Sequence, residues 1–134
     1  MHITKVLIAG FSLLVATPGF AASYSLGAAA KTAGGLMPKG GPKEFVLFNL
    51  PEPKAKPEQL LRALRQAKDG RVCLAISAPK LDYIRDLLKD TFKAAKAERF
   101  DGLYLIIVAE RVDKAGLDEI LKGRGITATY GAIK

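Results

Sequence analysis

The chain is expected to fold as an α/β domain. It should hold a four-stranded, mainly parallel sheet with three helices covering both faces, in the order β-α-β-α-β-α-β. Three observations predict this. From Glu44 onward, short apolar runs alternate with longer stretches of helical periodicity, the pattern of a parallel sheet with crossover helices. The runs Phe45–Leu50 and Leu103–Ala109 are apolar at odd and even positions alike, which fits strands covered on both faces. Asp69-Gly70, Asp101-Gly102 and Gly123-Arg124-Gly125 mark turns between the runs.

Each element follows from its residues. Phe45-Val46-Leu47-Phe48-Asn49-Leu50 is the first strand and Pro51–Lys56 a loop. Pro57 suits the first turn of a helix, where the missing N–H is not needed. Leu60, Leu61, Leu64 and Ala67 then make one apolar stripe through Pro57–Lys68. Arg71–Ile76 is a second buried-type strand. Ser77-Ala78-Pro79 opens a long helix with Leu81, Ile84, Leu88, Phe92 and Ala95 inward, ending near Arg99. Leu103–Ala109 is expected to be the central strand. Asp113 can cap a third helix, Lys114–Lys122, through its side-chain oxygen; Leu117, Ile120 and Leu121 face the core. Ile126–Tyr130 alternates β-branched residues as a final strand. Right-handed crossovers and cover on both faces point to strand order 2-1-3-4. The first helix would lie on one face and the second and third on the other. An antiparallel final strand, as in thioredoxin-like folds, is the alternative.

Ahead of this domain the composition changes twice. Residues 1–21 read as a cleavable signal peptide: Lys5 near the start, the eleven-residue apolar run Val6–Ala16, then Thr17-Pro18-Gly19-Phe20-Ala21. The run is shorter than the roughly 20 residues that span a bilayer, and Gly19 and Ala21 suit cleavage after Ala21. The expected localisation is periplasmic or secreted, with no transmembrane segment after cleavage. Residues 22–43 carry Gly27, Gly34, Gly35, Gly40, Gly41, Pro38, Pro42 and Ala28-Ala29-Ala30, with Tyr24, Leu26, Leu36 and Met37 as the only large apolar side chains. That segment is expected to be a flexible tail. Residues 44–134 are the single α/β domain.

Removing 21 of 134 residues leaves 113, enough for one core. It also removes His2, the sole histidine, and Lys5, leaving 20 basic against 13 acidic side chains, a net +7. The processed chain has no histidine, no tryptophan and one cysteine, Cys73. No internal disulfide is available to it, and zinc or copper sites lack their usual ligands. No cofactor is expected. The basic residues fall in two groups: Lys54, Lys56, Arg62, Arg65 and Lys68 on the first loop and helix, and Lys93, Lys96 and Arg99 ending the second helix. With those helices on opposite faces the groups would not merge. No aromatics interleave them, so base stacking on nucleic acid is not expected.

In a doubly wound sheet, ligands sit beyond the carboxyl ends of the strands, where strand order reverses. The candidate binding residues there are Asn49, Glu52, Ser77, Glu110 and Arg111. Ser77 lacks the flanking glycines of a nucleophile elbow, with Ala75 and Pro79 in their places, and has no histidine to take its proton. It is expected to cap the second helix. Cys73 reads as a buried, inert thiol. Asp82, Asp86 and Asp90 recur at spacing four, each followed three residues later by Arg85, Lys89 or Lys93, which reads as a solvated charged face. The function expected is an exported basic binding module acting through protein–protein or small-ligand binding and not catalysis, with an envelope or secreted protein as partner and an anionic envelope surface as a further one. The alternative is a small carboxylate-based hydrolase-like enzyme pairing Glu52 with Glu110.

Overall fold

The structure, a computed structural model, describes residues 24–133 and the backbone of His2–Ile8. The elements in chain order are β1 His2–Ile8, α1 Leu26–Gly35, β2 Glu44–Asn49, α2 Pro57–Ala67, β3 Cys73–Ser77, α3 Leu81–Ala95, β4 Tyr104–Ala109, α4 Lys114–Leu121 and β5 Thr127–Ala132. Strands β2 to β5 form the expected four-stranded sheet. All of its pairs are parallel, the final one included. β1 pairs parallel along the outer edge of β2. The rest of the expected leader, and the cleavage point after Ala21, lie outside the described residues.

The strand order is β1-β2-β3-β4-β5, which corrects the expected 2-1-3-4. The placement of the helices changes with it. When every step goes the same way across the sheet and every crossover has the same hand, the crossover helices must share one face. α2, α3 and α4 do so, packing Leu60, Leu64, Ile84, Leu88, Phe92 and Leu117 against Phe48, Leu74, Ile76, Leu105 and Ile107. The first helix is therefore not alone on its face, as expected, but lies beside the second.

The opposite face still needs cover, since Phe45, Leu47, Cys73, Ala75, Ile106 and Val108 point to it. α1 supplies that cover with Ala29 and Ala33, joined by Tyr24, Leu36 and Met37. Within the segment expected to be a flexible tail, Leu26–Gly35 is therefore a helix. Ser25 caps it, its hydroxyl accepting from Ala28 N–H at 3.0 Å. The small residues that suggested flexibility let the helix backbone approach the sheet closely. Because α1 lies opposite α2–α4, a β1-to-β2 connection through it has the opposite hand to the three that follow.

The helix starts differ in how they are satisfied. At α2, Gln59 Oε1 accepts from Lys56 N–H at 3.0 Å, with Pro57 at the first helical position. At α4, Asp113 Oδ1 accepts from Gly116 N–H at 3.1 Å, as expected of a capping aspartate. At the amino end of the sheet two turns meet: Gly70 at φ +77° lies against the Gly102 carbonyl, and Gly102 at φ +87° against the Lys68 carbonyl. Both need the left-handed backbone that glycine adopts without cost.

Candidate functional site

Asn49 and Ser77 are the last residues of adjacent strands and stand opposite each other in the ladder. Both alternate with Leu47 and Ala75, so their side chains point to the α1 face. Asn49 is 7% exposed and Ser77 fully buried. Buried polar groups need partners, and these two supply one another: Ser77 Oγ donates to Asn49 Oδ1 at 3.1 Å. The Tyr24 hydroxyl completes a three-membered cluster, donating to Asn49 Oδ1 and lying 3.2 Å from Ser77 Oγ. Burial pushes the Tyr24 phenol above its ordinary range, and the Ser77 hydrogen bond partly offsets this. The phenol therefore stays protonated and able to donate.

Ser77 does not cap the following helix, contrary to expectation. α3 begins later, at Leu81, after Lys80. Its orphan N–H is met from across the sheet: Glu110 Oε1, one residue past β4, accepts from Leu81 N–H at 2.6 Å. Beside it, Arg111 bonds Asp82 Oδ1 at 3.1 Å and stands 3.9 Å from Glu110, and Arg85 bonds the same Asp82 oxygen at 2.7 Å. Glu110 and Arg111 thus belong to a charged clamp on the start of α3. A carboxylate there also complements the positive end of the helix dipole.

The five expected site residues all lie at the carboxyl end of the sheet, yet they form separate groups. Asn49 and Ser77 sit together on the α1 face. Glu110 and Arg111 sit together at the start of α3. Glu52 is on the exposed loop after β2, 3.7 Å from Lys54. There is no reversal of strand order among β2–β5 to open a crevice between them, because the order runs in one direction.

The other candidates resolve more simply. Cys73 is fully buried, and burial pushes its thiol up to about 11, which disfavours the reactive thiolate. Of the three aligned aspartates only Asp82 is drawn into ion pairs among the described residues. Among the described residues, no group of three or more His, Cys, Asp or Glu side chains is placed to hold a metal ion, and no helix is long and apolar enough to cross a membrane.

Tyr24 was not among the expected site residues. Its signal was weak but present: it is the one aromatic side chain in a glycine- and alanine-rich segment, adjacent to a serine able to cap a helix. Tyr130 is likewise unannounced. Its hydroxyl donates to Asp118 Oδ1 at 2.6 Å, and burial together with that carboxylate raises its pKa far above the usual phenol range. Comparison with protein-family models, with curated proteins and with solved structures returned no match.

Proposed function

We propose that the chain is an exported, basic binding module that works by docking a partner, most directly at the carboxyl end of its sheet. The observation that carries this reading is how the reactive-type groups are used. Ser77 is buried and gives its hydroxyl to Asn49, the Glu110 carboxylate holds the start of α3, and the Cys73 thiol is enclosed and protonated. The first two are committed to holding the carboxyl end of the sheet, and the thiol, at the other end of β3, is closed off from solvent. Glu52 and Arg111 are exposed at that end and form the rim a partner would touch. Asn49 and Ser77 act beneath it as positioning residues for Tyr24 and α1.

Export is supported by the layout of residues 1–21. β1 pairs along the outer edge of β2, so processing after Ala21 would remove an edge strand and leave the β2–β5 pairings.

The test has two arms. Intact mass of the chain from the periplasmic fraction should show the loss of 21 residues; the full-length mass in the cytosol contradicts export. The processed chain should then hold one stoichiometric partner from envelope extract, released by Glu52→Lys with Arg111→Glu and retained by Lys122→Gln at the far end. A partner retained by the double variant places recognition elsewhere and overturns the carboxyl-end reading.

A further inference from the structure

The opposite end of the molecule carries an independent inference. α2, α3 and α4 share one face and run antiparallel to the strands, so their C-termini gather at the amino end of the sheet. The sequence reading kept the basic residues of the first and second helices apart; the structure joins them. Arg65 of α2 reaches Glu98 after α3, at 2.9 and 2.7 Å. Arg124, after α4, donates to the carbonyls of Glu98 and Phe92 at 2.9 and 3.2 Å, with its guanidinium 4.5 Å above the Phe92 ring. Arg99 donates to the Gly123 carbonyl at 3.0 Å.

This end holds Arg65, Lys68, Arg71, Lys93, Lys96, Arg99, Lys122 and Arg124 against Glu44, Asp69, Glu98, Asp101 and Glu119. Three of the acids are consumed locally: Asp69 by Arg71, Glu98 by Arg65 and Asp101 by Arg99. The arginines thus neutralise these three acids and tie the helix ends together, and Glu44 and Glu119 leave the end with an excess of positive charge. Lys68, Lys93, Lys96 and Lys122 remain exposed and join no ion pair among the described residues. Three of them, Lys68, Lys96 and Lys122, are the C-cap residues of α2, α3 and α4.

The negative end of each helix dipole favours a cation nearby, which accounts for lysines in general. It does not account for Lys96. That residue is held at φ +57°, ψ −120°, in left-handed φ space where glycine costs least. A non-glycine residue kept in such a conformation stores strain, and strain of that kind is a pointer to function.

We propose that this lysine-capped end is a docking surface for an anionic lipid membrane. Lysine is a flexible, hydrated point charge, suited to a diffuse layer of headgroups; arginine's planar fork suits fixed bidentate partners. Here the forks are occupied and the point charges face outward. Among the described residues at this end Phe92 and Phe100 are buried and Tyr104 is half-buried, which leaves no fully exposed aromatic ring on which bases could stack. Each lysine near an anionic surface contributes about five-fold to partitioning, and the attraction weakens as salt screens it.

The test is sedimentation with vesicles of phosphatidylglycerol in phosphatidylcholine, against phosphatidylcholine alone, using the chain as it is recovered from the producing cell. Binding should require the anionic lipid and fall steeply with salt. The combined Lys68, Lys93, Lys96 and Lys122→Gln variant should lose more than about a hundred-fold, while Lys54→Gln with Lys56→Gln, at the other end, should change little. Lys96→Gly separates this role from helix capping: its melting temperature should hold or rise as strain is relieved, while partitioning falls about five-fold. Equal binding to phosphatidylcholine overturns the proposal. So does a Lys54/Lys56 variant that loses as much, an unchanged partition for Lys96→Gly, or tighter binding to duplex DNA than to the anionic vesicles. None of these outcomes depends on whether a protein partner is found at the carboxyl end.

Discussion

The two faces of the sheet are covered in different ways. On one, three amphipathic helices pack leucine, isoleucine and phenylalanine against branched strand residues. On the other, a single ten-residue helix lays Ala29, Ala33 and Gly34 against Phe45, Leu47, Cys73, Ala75, Ile106 and Val108. Each large side chain withdrawn from water contributes roughly 1.5–3 kcal/mol, and an alanine far less. The first face therefore carries most of the stability. The second is held by close approach and by the polar contacts of Tyr24. Stability is concentrated on the α2–α4 face, and α1 is the lightly fixed part of the fold.

The largest effect should come from the heavy face. Leu64→Ala or Ile84→Ala, both at fully buried positions, should cost about 2–5 kcal/mol in denaturant unfolding. An equal loss from Ala29→Gly would erase the contrast. Next is Ala33→Leu, which forces a bulky group under α1 and should cost about 1–3 kcal/mol. Its exchange protection should fall in α1 while that of α2–α4 is kept. Tyr24→Phe removes the hydroxyl shared by Asn49 and Ser77 and should cost about 0.5–1.5 kcal/mol, read as a lower midpoint with an unchanged slope.

Alkaline pH probes the α1 face through Cys73 and Tyr24. The Cys73 thiol is raised from 9.0 to about 11 by burial, so the unfolded chain ionises first. Stability is then complete below pH 9 and falls as pH rises from there toward about 11. The raised Tyr24 phenol, and that of Tyr130 on the α2–α4 face, add a further fall beginning near 10.0. Melting temperature against pH should show this, and Cys73→Ala should move the onset from about 9 to about 10. The smallest effect belongs to Arg65→Ala, whose exposed pair with Glu98 should leave the midpoint almost unmoved.

The heavy face was legible because its helices repeat apolar residues with a helical period and its strands are continuously apolar. The α2 and α4 boundaries and all four strands from Glu44 onward follow from that pattern. Strand order was not legible: the same runs suit 2-1-3-4 or a sequential sheet, and the choice lies in which helices share a face. α1 was hidden because small residues read as flexibility when their partner surface is unseen, and Tyr24 was hidden with it. Asn49 and Ser77 were found because a polar residue ending an apolar run at a strand's carboxyl end is conspicuous. Their meeting across the ladder needed the register. The lysine-capped end was present as two basic groups, but only the shared face of α2 and α3 brings them together.

Native-state hydrogen exchange on the chain tests this division of the molecule most directly. Amides of α1 should open at a free energy well below that of global unfolding, with α2, α3 and the β3–β4 ladder opening only globally. Exchange of α1 at the same free energy as α3 would contradict it.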